Sequence, residues 1–396
     1  MTTGKALNGK PYAGNPHVRF DEGEVASAAM PRRGSLLYKA KTIICAAMAA
    51  ASVAAAGGRP AFEGEFMCGV NFGFYAREGY YESQAARDEV DEMAKTGVKW
   101  VTVIATVYQE TWCSTLQYRD FADSPGDLEL ADIIDYIHSK GMKVCLRPME
   151  ESLDGLDRLN IYFPNPIDRM PGKRDTHYVR WFDSMRKRSR YYAKIAARTK
   201  CEAFCLDSEI DRLMNFDKEW RSVIAAVREV YKGPVTSCHT MVAGDALLKR
   251  GNWLSELDFI SISNYPSPRT PPGAGKEAMM KGLQGHLAYM RKIAAATGKK
   301  ILFGEIGCTS THGAARSPAG WYGNGGYDGK EQADYMDAFF TLFGKEPWCI
   351  GFMWWKWDEQ NDRPQFKDDP KGDKGFTIRG KPAQEVMRRH YTQMAR

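Results

Sequence analysis

From about residue 64 onward the chain is dominated by eight short runs rich in β-branched and aromatic residues, each separated from the next by a longer stretch of helical character. The runs cover 66–72, 100–106, 143–148, 203–209, 235–239, 259–265, 301–305 and 350–357. Amphipathic patterns fill 83–96, 128–140, 178–199, 218–231, 276–297 and 330–345, and 382–391 closes the chain; only 240–256 carries a weak helical signal. No linker or low-complexity segment interrupts the series. Strand and helix patterns in strict alternation are the mark of βα units feeding a parallel sheet. Thr96-Gly97, Lys140-Gly141 and Thr297-Gly298 supply helix stops just ahead of the next strand. Eight units are the number that closes a barrel, and no GxGxxG follows the first run, which argues against a doubly wound open sheet. The expected fold is therefore α/β, a single (β/α)8 TIM barrel spanning 57–396.

The N-terminus reads differently. Arg32-Arg33, Lys39 and Lys41 precede an apolar run from 42 to 53 that ends in Ala54-Ala55-Ala56-Gly57, the order of a secretory signal. The run is too short and Ala-rich for a membrane span, which needs roughly 20 strongly apolar residues. Residues 1–56 are thus expected to be an N-terminal extension and signal peptide, and the protein to be secreted or periplasmic; an uncleaved anchor is the alternative. That segment holds seven Lys/Arg and three Asp/Glu, so its loss lowers the formal charge from +6 to +2. A nearly neutral chain without a basic stripe is no nucleic-acid binder. The nine cysteines show no paired CxxC spacing, and most fall in strand runs, where a thiol is a small buried hydrophobe.

In a barrel of this kind the reactive groups stand where strands end on the carboxyl face. The fourth run ends Leu206-Asp207-Ser208-Glu209 and the seventh Phe303-Gly304-Glu305, so a glutamate follows each apolar stretch. The two strands lie almost across the mouth from each other. Retaining glycoside hydrolysis needs two carboxyl groups about 5 to 5.5 Å apart, one protonated and one ionised. Other strand ends supply sugar-binding candidates: Asn71, His239, Asn264, Tyr265, Trp355 and Trp357. Aromatic faces pack on sugar rings, while a tyrosine hydroxyl and a histidine can tune a carboxylate. Strand alternation puts Trp355 and Trp357 on one face, expected to meet substrate, and Trp354 on the other. By the same rule Asp207 points to the side of Glu209, as a tuning group or a substitute acid.

The segments 204–209, 301–307, His312-Gly313-Ala314-Ala315, 351–358 and Gly380-Lys381-Pro382-Ala383 resemble glycoside hydrolase family 113, within the clan of retaining (β/α)8 glycosidases. The resemblance spans roughly 64–392. It implies Glu209 as acid/base, Glu305 as nucleophile and an endo-β-1,4-mannanase acting on mannan or glucomannan. Where the family shows Lys-Pro-His after strand three and then Asp-Gly-Trp-Arg, this chain has Arg147-Pro148-Met149-Glu150-Glu151 and Asp154-Gly155-Leu156, so the exact sugar stays open. Glu150 and Glu151 either bind substrate or face water. Trp321 and the segment 153–175 are candidates for reshaping the cleft.

The expected partner is a β-linked polysaccharide or oligosaccharide, met by a monomer, with no nucleic acid and no stable membrane insertion once the signal is cleaved. No cofactor is required, and no metal is expected: seven histidines show neither HxH nor HExxH spacing. Three other readings remain: a β-glycosidase acting on xylan, glucan or chain ends, a sugar-binding barrel that breaks no bond, and a metal-dependent hydrolase built on His239 and the acidic segment 358–373.

Overall fold

The computed structural model describes residues 62–163, 176–240, 244–249, 251–321, 325–359 and 369–394, together with the backbone of Val18–Arg19. The signal-like segment 30–56 and most of the acidic segment 358–373 lie outside the described residues.

Eight parallel strands form the sheet: β1 (Met67–Phe72), β2 (Trp100–Gln109), β3 (Lys143–Ser152), β4 (Ala203–Ser208), β5 (Val235–Thr240), β6 (Ile260–Ser263), β7 (Ile301–Ile306) and β8 (Cys349–Trp357). Each pairs with its sequence neighbour, and β8 pairs with β1, so the sheet closes on itself. The (β/α)8 barrel expected from the alternation is what forms. Val18–Arg19 adds a two-residue antiparallel ladder to Tyr118–Arg119.

Helices fill the crossovers: α1 (Gln84–Lys95), α2 (Asp127–Ser139), α3 (Thr176–Arg198), α4 (Asp217–Val230), the four-residue α5 (Gly244–Leu247), α6 (Gly275–Gly282), α7 (Gln284–Thr297), α8 (Gly329–Phe343) and α9 (Pro382–Met394). The single helix expected over 276–297 is interrupted at Leu283. The weak signal between β5 and β6 proves to be α5 and a 3-10 turn, Trp253–Glu256. Gly97, Gly141 and Gly298 all take positive φ, the left-handed cap that makes glycine the residue of choice there. No helix among the described residues is long and apolar enough to cross a membrane.

Three apolar layers follow from strand alternation. One side of each strand, with Val70, Val101, Leu146, Phe204 and Phe303, packs against the helices. The other side fills the barrel interior with Met67, Trp100, Cys145, Cys205, Cys238 and Leu302. A third cluster, Phe74, Ile104, Met149, Trp355 and Phe376, caps the interior at the carboxyl end. All described cysteines are free, and all but Cys113 are buried, as small hydrophobes should be.

β2 and β3 run further than their apolar patterns suggest and stay paired over ten residues, from Trp100↔Lys143 to Gln109↔Ser152. This raised rim carries Glu150 and Glu151 and delivers a 3-10 turn, Arg158–Asn160, to the mouth.

Candidate active site

Glu305 is the most heavily restrained carboxylate of the mouth, with a side chain only 4% exposed. Arg147, from β3, donates Nη1 to its Oε1 at 2.8 Å and Nη2 to the carbonyl of Gly304 at 3.2 Å. Ser208 Oγ donates to the same Oε1 at 2.7 Å. The second oxygen, Oε2, faces Ser263 Oγ and Tyr265 Oη, each at 3.4 Å. Burial, then the charges of Glu305 and Glu209, push the Tyr265 phenol well above its ordinary value, so it remains a proton donor. One carboxylate oxygen is thus fixed by two close donors while the other is only loosely held.

Glu209 directly follows β4 with φ at +63°, a left-handed conformation in a non-glycine residue, and its N–H donates to the carbonyl of Cys238 at 2.9 Å. Such strain costs on the order of 1–3 kcal/mol and gathers at functional sites. Ser263 Oγ lies 2.6 Å from Glu209 Oε1, and Arg158 Nη1 donates to Oε2 at 3.0 Å. Burial first, and the charge of Glu305 second, raise the carboxyl from 4.5 to about 7 against the opposing pull of Arg158. The Ser263 hydroxyl therefore stands between the two carboxylates, which converge as the sequence suggested.

Both glutamates reach the mouth through irregular strands. The register of β4 against β5 shifts between Cys205 and Ser208. In β7 it shifts against β6 between Phe303 and Glu305. There Gly304 has no room for a side chain: a Cβ would lie 1.8 Å from Ser261 Oγ. Bulges of this kind re-aim side chains beside active sites.

They also redirect residues that plain alternation assigns to the mouth. Asp207 does not share a side with Glu209. Cys205 fills the barrel interior and Ser208 reaches Glu305, so the extra residue between them turns Asp207 outward, onto Arg188 of α3 at 2.6 Å. Trp357 likewise leaves the face of Trp355. The register of β8 against β1 shifts between Trp354 and Trp357, and the Trp355–Lys356 peptide is cis. Trp357 is fully buried under the helices and donates Nε1 to Glu89 of α1 at 2.6 Å. Trp355 stays in the mouth cluster beside Phe74 and Phe376, and Trp354 faces the helix layer as expected.

Two further candidates face outward, His239 on β5 and Asn264 just past β6. His239 follows the interior residue Cys238, so its ring packs against Trp253 and its Nδ1 lies 3.2 Å from Asp211. Asn264 lies just past the end of β6 and turns away from the side that Tyr265 takes. Its amide donates to His286 of α7 at 2.8 Å. Asn71 does point inward, but its amide spans the carbonyls of Gly304 at 3.0 Å and Met353 at 3.1 Å, tying β1 to β7 and β8. Glu150 lies behind the sheet with Arg188, and Glu151 lies in the mouth with Arg158.

Sequence reasoning missed Arg147, Ser208, Ser263, Arg158 and the apolar pair Met149 and Phe74. Alternation from Cys145 along β3 would have found Arg147, Met149 and Glu151, and from Ser261 along β6 it would have found Ser263. Nothing in the sequence marks Ser208, whose inward turn depends on the bulge. Beyond Trp355 an aromatic wall continues to the solvent through Phe74, Tyr75 and Trp321, the last two 47% and 43% exposed. One set of metal-type ligands exists among the described residues, His312, Asp328 and Glu331. The His312 ring is ion-paired with Asp328, and the Glu331 oxygens accept N–H groups of Gly273, Gly313 and Ala315.

No curated protein matches the sequence. Solved structures do. A complex of a GH113 β-1,4-mannanase is 28% identical over 83% of this chain and 99% of its own, with a TM-score of 0.72. The GH113 β-mannanase of Alicyclobacillus acidocaldarius, in complex with ManMIm, is 28% identical over 85% of this chain and 100% of its own, with a TM-score of 0.74. A family 5 mannosidase from Rhizomucor miehei, 12% identical over 86% of this chain and 96% of its own, shares the fold at a TM-score of 0.55. The family model for Glycoside Hydrolase Family 113 matches residues 70–381. With that span covering most of the barrel and both strand-end glutamates, the chain belongs to glycoside hydrolase family 113.

Proposed function

We propose that this glycoside hydrolase is a retaining endo-β-1,4-mannanase in which Glu305 is the nucleophile and Glu209 the acid/base. The observation that carries the reading is the hydroxyl of Ser263, 2.6 Å from one carboxylate and 3.4 Å from the other. The two oxygens it touches are no further apart than the sum of those distances. That suits a retaining pair, whose carboxyl groups stand about 5 to 5.5 Å apart, better than an inverting pair at about 6.5 to 9.5 Å.

Each glutamate has the environment its role requires. Arg147 and Ser208 hold Glu305 Oε1, leaving Oε2 to attack the anomeric carbon. Glu209, raised to about 7, carries a proton near neutrality and gives it to the departing glycosidic oxygen. Water then attacks the glycosyl ester, Glu209 takes its proton, and the sugar leaves with its configuration retained. Trp355 packs on the sugar at the cleavage point, and Tyr75 and Trp321 extend that surface outward.

Arg147, Arg158 and Lys356 are each paired with a carboxylate and so offer no open cation to an acidic ligand, as suits a neutral polymer. The solved β-mannanases of the family support mannan as that polymer. Export is inferred from the basic, apolar and small-residue order of 30–56, and a mature N-terminus at Gly57, read by mass spectrometry of the exported protein, checks it.

Reducing-sugar release from mannan, glucomannan, xylan and β-glucan tests the reading. Cleavage of mannan or glucomannan, abolished by Glu209→Gln and by Glu305→Gln, is expected. Preference for xylan or β-glucan would move the substrate and keep the mechanism, whereas binding without cleavage would make the barrel a carbohydrate-binding module.

A further inference from the structure

The two halves of a retaining reaction make opposite demands on Glu209, which must carry a proton in the first and be an anion in the second. One charged residue beside it favours only the anion. Arg158 donates Nη1 to Glu209 Oε2 at 3.0 Å, pairs through Nη2 with Glu151, and donates Nε to the carbonyl of Glu150 at 3.2 Å. Its guanidinium lies 5.5 Å over the ring of Phe74, and its side chain is 9% exposed. All three nitrogens are committed, and a guanidinium does not lose its proton, so Arg158 cannot itself serve as the acid.

Among the other charged groups around Glu209, the acidic ones push the opposite way. Glu305 from β7 and Asp211 after β4 add negative charge. Ser263, at the end of β6, also favours the anion, but only through a neutral hydrogen bond; Tyr265 beyond it is a hydroxyl, and Glu151 offsets part of the charge of Arg158. Arg147 is committed to Glu305. When Glu305 becomes a glycosyl ester its charge disappears, and with it the strongest anionic neighbour of Glu209. Arg158 then becomes the dominant charge acting on that carboxyl.

We propose that Arg158 is a positioning residue for the second half of the reaction, holding Glu209 as an aligned carboxylate once Glu305 is esterified. Water oxygen bonds to the anomeric carbon, the bond from that carbon to Glu305 breaks, and the water proton passes to the Glu209 oxygen that Arg158 keeps in place. The inference rests on the retaining reading above.

The test uses the full chain and 2,4-dinitrophenyl β-mannobioside, whose leaving group needs no proton, so that hydrolysis of the glycosyl-enzyme limits kcat. Arg158→Gln is expected to lower kcat roughly tenfold to hundredfold, the size of one charge-assisted hydrogen bond. KM should fall with it, and a burst of dinitrophenolate should match the enzyme concentration. Azide, which attacks without a base, should restore turnover. On an unactivated manno-oligosaccharide the basic limb of kcat/KM should move to higher pH, because the cation that favoured ionised Glu209 is gone. Arg158→Lys, which keeps the charge without the fork, should recover part of the loss. A variant with an unmoved basic limb, no burst and no azide rescue would overturn the proposal and leave the glycosidase reading intact. A wild-type enzyme that cleaves neither compound would bring down both.

Discussion

Two kinds of strand build the mouth of this barrel. β3 and β6 alternate without interruption, so Arg147, Met149 and Glu151 face inward in turn, as do Ser261 and Ser263, with Tyr265 just beyond β6 on the same side. β4, β7 and β8 each contain a register shift near the carboxyl end. The regular strands supply Arg147 and Ser263, which hold the carboxylates, and the irregular ones supply Glu209, Glu305 and Trp355 together with Ser208, a further donor to Glu305. A bulge brings inward a residue that alternation would hide, at the cost of turning a neighbour out. Asp207 and Trp357 are the neighbours turned out.

The comparison can be broken at several points. The largest effect is expected at the two glutamates: Glu305→Gln or Glu209→Gln should lower kcat/KM on mannan by about a thousandfold or more, with the fold retained by circular dichroism, although Glu305→Gln also leaves the buried Arg147 without its carboxylate and should cost up to about 3–5 kcal/mol of stability. Loss of the fold instead would make these residues structural.

Next come the tryptophans separated by the β8 shift. Trp357→Ala should destabilise the fold by about 3–5 kcal/mol, as removal of a buried aromatic does. Trp321→Ala, on the exposed wall, should raise KM several-fold and leave the melting temperature unchanged. Denaturant titration beside steady-state kinetics would separate the two, and a catalytic phenotype for Trp357→Phe at full stability would show that the residue reaches substrate after all.

The β4 bulge gives a matched pair of comparable size. Asp207→Asn removes the charge facing Arg188 in a fully buried cluster, which should cost up to about 3–5 kcal/mol of stability. Ser208→Ala removes a neutral donor from the nucleophile and should lower kcat about tenfold to hundredfold with little change in melting. If Asp207→Asn altered kcat and Ser208→Ala did not, the turn of this segment would be wrong.

The smallest effect is on pH dependence. Burial and the charge of Glu305 raise Glu209 to about 7. Since the acid must be protonated, log kcat/KM should fall by about one per pH unit once pH exceeds that value. Stability carries the same sign: a carboxyl raised above its unfolded value favours the fold below that unfolded value and loses this contribution as pH rises through about 7. Glu209→Gln should therefore gain melting temperature relative to wild type more at pH 8 than at pH 4.

What could be read from the sequence follows from the same division. Eight strands, the closing pattern and the two glutamates are legible in the sequence, because each glutamate stands at the end of a strand run. Tyr265 and Trp355 were legible as strand-end aromatics. His239 and Asn264 face outward although they close their strand runs, because Cys238 and Tyr265 beside them claim the inward side. Asp207, Trp357 and Ser208 were beyond reach, because a register shift depends on the fit between neighbouring strands. Arg158 was hidden for another reason: it arrives from a loop after β3, and its place depends on Glu151, Glu209 and Phe74 meeting in three dimensions.

The central claim, that Glu305 forms a covalent bond to the sugar, is tested most directly by trapping it. Incubation with an activated 2-deoxy-2-fluoro-β-mannoside, followed by peptide mapping by mass spectrometry, should find one sugar per chain, attached to Glu305. A label on another residue, or turnover to an inverted product with no covalent adduct, would contradict the account.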